Sequence, residues 1–192
     1  MDEFAYLNPP AALPAILART EQLGFPMPSE PRTGALLRVL AASKPGGRML
    51  ELGTGTGIAT AWLLDGMDAD ASLVSIDIDA DAQAVARQNL GHDKRIRFVT
   101  GDAAVFLRPQ VRGSFDLVFA DAMIGKYDML DEALSLPRAG GLYVIDDMLP
   151  QDSWPEEHAP KVPRLLEELA HRADLKLVSL AWSSGLVVAV KT

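Results

Sequence analysis

The segment with the strongest chemical signal is a glycine-rich run, ELGTGTGI, at residues 51–58. Three glycines alternate with threonines there, directly after an apolar stretch and before a helical pattern. Glycines let the backbone turn sharply, and they let a ligand approach the N–H groups at a helix N-terminus. A tight turn without a ligand is the alternative, but three alternating glycines after a buried strand favour a binding loop. The residues expected to contact a ligand are Glu51, Gly53, Thr54, Gly55, Thr56 and Gly57.

A carboxylate follows the next apolar run, SIDID, and could bind a sugar. Asp77 ends this run, and a carboxylate at that position can accept hydrogen bonds from both hydroxyls of a ribose. Asp79 is the competing candidate, although its position suits a helix cap. We therefore assign the ribose to Asp77 and expect its neighbour Ile78 to line the same site.

Three further acids follow two later apolar runs. Asp121 comes after FDLVFA, and Asp146 with Asp147 ends GLYVIDD. The carboxyl ends of parallel strands meet at one edge of a sheet, so these side chains should converge there. A buried acid cluster is unfavourable unless a proton or a cation compensates it. Because the ligands are all oxygen atoms, the cation they suit is Mg²⁺ or Ca²⁺.

Strands and helices alternate through most of the chain. The helical pattern is clearest at 80–90, and the final two strands, 176–182 and 186–192, are separated by a hairpin-length turn. This order predicts an α/β fold with a mostly parallel seven-stranded sheet, helices on both faces and an antiparallel C-terminal hairpin. The other predicted strands are 48–52, 72–78, 96–100, 115–120 and 141–146, and the other predicted helices are 56–65, 103–107 and 161–172.

The N-terminal part precedes this alternation. A short helix is predicted around 11–22, and a second one at roughly 30–42, with Ser29 as its cap and Pro31 in its first turn. We see no internal repeat and no second domain. The sequence predicts one domain spanning 1–192, with 1–28 as an N-terminal extension and 29–192 as the core.

Charge and cysteine content limit the function classes. The net charge is −8, and no clustered basic face is visible, which argues against binding to nucleic acid. The absence of cysteine rules out disulfides and thiolate metal sites, and it suits a reducing cytoplasm. The N-terminus does not resemble a signal peptide, and no stretch reaches the length of a transmembrane helix. We expect a cytoplasmic protein that does not associate with membranes.

The spacing of the glycines distinguishes two classes of enzyme. A dinucleotide fold has G-x-G-x-x-G, whereas this loop has G-x-G-x-G with Glu51 two residues ahead. From about residue 27 to the end, the chain resembles the class I S-adenosylmethionine-dependent methyltransferases. The resemblance implies a Rossmann-like fold, S-adenosylmethionine as methyl donor and, for Asp102 in TGDA, a contact to the adenine amino group, with Ala103 beside it. Asp102 could instead, or also, cap the helix at 103–107.

The runs FADAMIGKY and GGLYVIDDML resemble a narrower group, the catechol and caffeoyl-coenzyme A O-methyltransferases. The resemblance implies a homodimer and a small-molecule catechol or phenol substrate. It also implies a divalent metal such as Mg²⁺, held by Asp121, Asp146 and Asp147, that lowers the pKa of the substrate hydroxyl.

Three positions depart from that group. Asp147 stands where the group has asparagine, and Ile124 stands where it has lysine. Lys126 follows two residues later, while Tyr127 keeps the group's position. Ala59 stands where the group has a serine that helps to hold the donor's carboxylate. Thr56 or Thr60 could take over the role of that serine.

Asp121 and Lys126 are the candidate catalytic residues, and Asp121 is also expected to contact the methyl donor; His158 is a further candidate for proton transfer. Lys126 is either a general base, a cation that stabilises the developing alkoxide, or a solvated loop lysine. His158 lies in a proline-rich loop, 149–160, and is either a base, a ligand or a surface residue. The function predicted is O-methylation of a small molecule. The alternatives are a nucleotide-dependent oxidoreductase and a non-catalytic protein that binds the methyl donor.

Overall fold

The computed structural model describes residues 7–151, 154 and 158–192 of the chain. Within these residues the strands form a seven-stranded sheet with the order β3-β2-β1-β4-β5-β7-β6. The strands are β1 (Arg48–Leu52), β2 (Ser72–Asp77), β3 (Ile96–Thr100), β4 (Phe115–Ala120), β5 (Pro137–Ile145), β6 (Leu175–Leu180) and β7 (Leu186–Lys191).

The strand directions match the sequence prediction. Strands β1 to β5 pair in parallel, whereas β7 is antiparallel to both of its neighbours, β5 and β6. The predicted C-terminal hairpin is therefore confirmed, with Leu180 opposite Leu186 at its closed end.

Helices cover both faces of the sheet because the strand residues are apolar on both sides. Met49, Phe119 and Val144 belong to the core cluster that also contains residues of α1 to α4. Their sequence neighbours, such as Leu50 and Val118, point the other way and pack with α5, α6 and α7. The helices are α1 (Leu13–Leu23), α2 (Pro31–Ala42), α3 (Ile58–Gly66), α4 (Ala80–Leu90), α5 (Ala103–Leu107), α6 (Leu130–Leu134) and α7 (Lys161–Ala170).

The bounds of several elements shift by one or two residues from the sequence prediction, and three further details differ. Helix α6 was not predicted, because its five residues are too few to show a helical repeat and no side chain caps its start, whereas Asp102 caps the equally short α5. Strand β5 begins at Pro137 instead of residue 141, since Pro137 pairs with Phe115 across a register shift. Ser29 does not cap α2: the cap residue is Glu30, without a side-chain bond, although Pro31 does lie in the first turn.

The strand order places a ligand-binding crevice between β1 and β4. The chain proceeds outward from β1 to β2 and β3, then returns to β4 on the other side of β1. Ligands of open α/β sheets bind at this reversal, outside the carboxyl ends of the strands. Both the glycine loop, 53–57, and Asp121 follow strands at this point. Among the described residues, no helix is long and apolar enough to cross a membrane.

Candidate active site

The loops after β1 and β4 touch each other at Gly53. Its backbone N–H donates to the carbonyl of Ile76 at 2.9 Å, which ties the loop to β2. Gly53 has a φ of +98°, and a Cβ there would lie 2.4 Å from the carbonyl oxygen of Asp121. Only glycine permits this approach, so the glycine loop packs directly against the acid-bearing loop.

Asp77 lies at the end of β2, facing the glycine loop. Its Oδ2 accepts a hydrogen bond from the Gly55 backbone N–H at 2.7 Å, and its Oδ1 accepts one from the Asp79 N–H at 2.8 Å. Asp79 in turn caps α4 by accepting from the N–H groups of Asp81 and Ala82, both at 3.0 Å. The cap role predicted for Asp79 is confirmed, and Asp77 remains the carboxylate beside the loop.

Asp102 lies at the end of β3, on the exposed rim of the same edge. Its Oδ1 accepts a hydrogen bond from the Ala104 N–H at 2.7 Å, so the alternative role as cap of α5 is present. Ala103 is half-buried, and the Ile78 side chain is 77% exposed. A ligand contact from these three residues stays a prediction.

A buried polar network lies beneath the glycine loop. Glu51 is fully buried, and its Oε2 accepts hydrogen bonds from the hydroxyls of Thr60, at 2.6 Å, and Ser75. The Ser75 and Thr54 hydroxyls lie 2.6 Å apart, and the Gln83 amide donates to Thr54 at 2.9 Å. Glu51 and Thr54 thus support the loop from below. Sequence reasoning missed Ser75 and Gln83. The signal that could have found them is a polar residue in a buried position, Ser75 within an apolar strand and Gln83 on an apolar helix face.

The Glu51 carboxyl makes the stability of the fold depend on pH. Burial raises the pKa of Glu51 from 4.5 to about 8, although the hydroxyls of Ser75 and Thr60 oppose the shift. A folded-state pKa above the unfolded value stabilises the fold fully below pH 4.5, and this contribution is lost as the pH rises through 8. We expect Glu51→Gln, which cannot ionise, to gain roughly 3–5 kcal/mol over the wild type across this range.

Urea denaturation of both proteins at several pH values measures this difference. The unfolding free energy of the wild type should fall relative to that of Glu51→Gln between pH 4.5 and pH 8. Parallel profiles for the two proteins would show that burial does not hold a proton on Glu51.

The N-terminal segment packs against the glycine loop. The Thr20 hydroxyl on α1 donates to the Thr56 hydroxyl at 2.8 Å, and a Cβ on Gly55 would lie 3.3 Å from the Phe25 ring. Thr56 and Thr60 were considered as substitutes for the hydroxyl that Ala59 lacks. Thr60 already donates its hydroxyl hydrogen to Glu51, whereas Thr56 only accepts a bond from Thr20 and does not use its own hydrogen there. This difference favours Thr56 as the substitute. Sequence reasoning assigned residues 1–28 to an extension and missed this contact.

The three acids predicted to converge do so. One carboxylate oxygen from each of Asp121, Asp146 and Asp147 lies within 4.8 Å of the others. The Lys126 Nζ lies among them, 3.2 Å from Asp121 Oδ1 and 3.1 Å from Asp147 Oδ2. Lys126 is only 3% exposed, so its interpretation as a solvated loop lysine is wrong.

Burial and neighbouring charges shift the pKa values of Lys126, Asp121 and Asp146. Burial alone would lower the pKa of Lys126, but the carboxylates of Asp121, Asp147 and Asp146 outweigh burial and raise it above its usual value. Burial raises the pKa of Asp121, against the effect of Lys126. Burial, together with the two neighbouring acids, raises the pKa of Asp146 to about 8. Lys126 is therefore a cation at neutral pH.

The acids line a cleft of about 200 Å³. Its opposite wall is formed by residues 26–30, which connect α1 to α2. Hydroxyl groups orient two of the acids: Ser29 donates to Asp121 Oδ2 at 3.2 Å, and Ser184 in the hairpin turn donates to Asp146 Oδ1. No sequence pattern indicated that these two distant serines belong to the site, because both come from segments outside the strand–helix repeat.

His158 lies in an aromatic cluster. Its Nε2 is 3.1 Å from the Tyr127 hydroxyl, and its ring is stacked on Trp154 with centroids 4.2 Å apart. Within the described residues, the group that could hold a metal contains the three acids without His158. Within the predicted loop, 149–160, residues 152, 153 and 155–157 lie outside the described residues. A base role for His158 stays a prediction.

Comparison with known proteins identifies the family. The sequence profile described as "O-methyltransferase" matches residues 13–192, nearly the whole chain. The chain belongs to the O-methyltransferase family. This match includes the glycine loop, the acid group and the hairpin.

Individual relatives support this assignment. A predicted O-methyltransferase of Mycobacterium marinum is 38% identical over 120 residues, which is 60% of this chain and 54% of that protein. The chain thus aligns with about half the length of the curated relatives it matches.

Two solved structures superpose over nearly all of the chain. TomG from Streptomyces achromogenes, in complex with S-adenosylmethionine, is 28% identical with a TM-score of 0.77 and covers 95% of this chain and 90% of TomG. Cofactor-bound Rv0187 from Mycobacterium tuberculosis is 27% identical with a TM-score of 0.81 and covers 94% and 89% of the two chains.

Proposed function

We propose that this protein transfers a methyl group from S-adenosylmethionine to a hydroxyl oxygen of a small molecule of the catechol or phenol type. The observation that carries the proposal is the contact between Gly53 and the Asp121 carbonyl, which joins the glycine loop directly to the acid-lined cleft. A donor on the loop and an acceptor in the cleft would be neighbours. Membership of the O-methyltransferase family and the S-adenosylmethionine bound to TomG support this reading.

The donor would lie across the carboxyl ends of β1, β2 and β3. We assign its ribose to Asp77 and its adenine to the rim formed by Ile78, Asp102 and Ala103. Its amino-acid part would meet the backbone of the glycine loop, with Thr56 nearby. Glu51 and Thr54 would act indirectly, by holding this loop from beneath.

The acceptor hydroxyl would lie in the cleft against Asp121, which can accept its proton. The oxygen then attacks the donor's methyl carbon in line with the departing thioether. Holding both reactants in this geometry can supply roughly 7–11 kcal/mol of the barrier reduction. We assign Lys126 the role of a fixed positive charge that orients Asp121 and stabilises the developing oxyanion, because its ammonium is held by two carboxylates.

The carboxylate oxygens are of the kind that Mg²⁺ prefers, and one oxygen from each acid lies within 4.8 Å of the others, yet the lysine bound to two of them does not fit a metal at this place. The Lys126 ammonium already joins Asp121 to Asp147, at the place where a cation shared by these acids would lie. We therefore assign no step of the reaction to a metal.

Three other expectations stay predictions: that 1–192 form one domain with a core at 29–192, that the protein is a homodimer, and that it resides in the cytoplasm. Burial of Leu13 and Ile16 in the same core cluster as α2 and α3 supports a single domain, although both residues belong to the predicted extension and not to the predicted core. Light scattering on the purified protein measures its molar mass and so tests whether it is a homodimer.

Cofactor binding and turnover distinguish the proposed function from its two alternatives, a nucleotide-dependent oxidoreductase and a non-catalytic protein that binds the methyl donor. We expect S-adenosylhomocysteine, but not NADH, to raise the melting temperature, because a ligand that binds only the folded state stabilises it. We also expect a labelled methyl group to appear on an oxygen of at least one member of a panel of catechols and phenols. A shift with NADH alone would indicate an oxidoreductase, and donor binding without turnover over the panel would favour a binding protein.

A further inference from the structure

The Lys126 ammonium is held in the acid group by the fold of its own loop. The Tyr143 hydroxyl on β5 donates to the Gly125 carbonyl at 2.6 Å, and the Gly125 N–H donates to the Asp128 carbonyl at 2.8 Å. The Lys126 N–H donates to the Met123 carbonyl at 3.2 Å. Tyr143 is fully buried, so this turn is anchored in the core directly before the lysine.

The positive charge of Lys126 complements the three acids. Its side chain is 4% exposed and forms ion pairs with Asp121 and Asp147. Asp147 stands where the O-methyltransferases that this chain resembles have asparagine. The negative charge that this difference adds is paired with Lys126 of the same chain. Three carboxylates this close together would repel one another without such a cation.

A divalent cation and this ammonium would compete for the same oxygens. Mg²⁺ and Ca²⁺ bind carboxylate oxygens at about 2.0–2.6 Å. The Lys126 Nζ lies 3.2 Å and 3.1 Å from oxygens of two of the three carboxylates that such an ion would need. A metal bound to these oxygens would repel the lysine and break both ion pairs.

We propose that Lys126 is a built-in cation that takes the place of a divalent metal in the Asp121, Asp146 and Asp147 group. The chain then needs no metal for folding or for catalysis, and the three acids accept a divalent cation only when the lysine is removed. The catalytic part of this inference rests on the proposed function, whereas the part on cation binding does not.

Metal binding to the wild type and to Lys126→Met tests the proposal directly. Methionine keeps an unbranched side chain of similar length without the charge. With metal-free protein, we expect calorimetry to detect no Mn²⁺ binding to the wild type and Mg²⁺ or Ca²⁺ to leave its melting temperature unchanged. Lys126→Met should melt at a lower temperature, bind one Mn²⁺ per chain and regain part of the lost stability with Mn²⁺.

Two control variants identify the site. Lys161→Met removes a nearby lysine that lies over the Tyr127 ring, and it should behave as the wild type towards Mn²⁺. Adding Asp146→Ala to Lys126→Met should abolish the gained Mn²⁺ binding.

Several results would overturn the proposal. Wild-type protein that binds one Mn²⁺, with a rise in melting temperature that Asp146→Ala abolishes, contradicts it, and this titration decides the matter even if Lys126→Met does not fold. A folded Lys126→Met that binds no Mn²⁺ contradicts it too, whatever its melting temperature.

Turnover in the presence of a chelator tests the catalytic consequence. Methyl transfer by the wild type should continue at its full rate, and a rate that requires added Mg²⁺ would refute metal independence. If no substrate of the panel is methylated, the proposed function fails, while the Mn²⁺ titrations still decide the assignment of Lys126.

Discussion

Replacing Asp77 by alanine should weaken the binding of S-adenosylhomocysteine tenfold or more while the protein remains folded. Asp77 is the carboxylate at the end of β2 that faces the glycine loop, and a ribose would form charge-assisted hydrogen bonds with it. Each such bond contributes roughly 1.5–3 kcal/mol, and about 1.4 kcal/mol corresponds to a factor of ten in affinity. Isothermal titration calorimetry on both proteins measures the change.

Asp79→Ala is the matched control for this variant. It removes a carboxylate two residues away that caps α4 through Asp81 and Ala82. Loss of a helix cap lowers stability by roughly 0.5–2 kcal/mol, but the affinity for S-adenosylhomocysteine should stay close to that of the wild type. If Asp79→Ala loses affinity and Asp77→Ala does not, the ribose belongs to Asp79 and our assignment is wrong.

Replacing Gly57 by alanine should destabilise the protein by roughly 2–5 kcal/mol. Gly57 has a φ of +92°, and an added Cβ would lie 2.6 Å from the Cβ and 3.0 Å from the Cα of Ala86 on α4. The variant therefore combines backbone strain with overpacking between the glycine loop and a helix. For a chain of this size we expect the melting temperature to fall by roughly 5–15 °C, as measured by calorimetry.

Gly24→Ala separates the two causes. Gly24 also has a positive φ, +65°, yet nothing lies within 4 Å of an added Cβ, so its replacement should cost only about 1 kcal/mol. Adding Ala86→Gly to Gly57→Ala removes one of the clashing atoms and should restore part of the lost stability. Equal losses for Gly57→Ala and Gly24→Ala would show that the contact with α4 does not constrain the loop.

Much of the fold could be predicted because the relevant signals are local. Strands such as Arg48–Leu52 and Phe115–Ala120 are short apolar runs between turn signals, and their bounds were predicted without error. Helix α4 has an apolar face, a capping aspartate and a terminal glycine, and its bounds were also correct. Five-residue α6 has no such repeat, and no local pattern could reveal it.

The site was predictable only where it follows the strand order. Asp121, Asp146 and Asp147 end neighbouring parallel strands, so topology alone brings them together. Ser29 and Ser184 reach the same acids from a connecting segment and a hairpin turn, whose positions depend on tertiary packing. The burial of Lys126 could not be predicted either, because it depends on a turn that is fixed by the Tyr143 hydroxyl.

A crystal structure with S-adenosylhomocysteine tests the account most directly, because the proposal depends on where the methyl donor lies. We predict that the ligand binds across residues 53–57, with both ribose hydroxyls on the Asp77 carboxylate. Its sulfur atom should point into the cleft beside Asp121. A ligand bound elsewhere, or one whose sulfur points away from this cleft, would contradict the proposed methyl transfer.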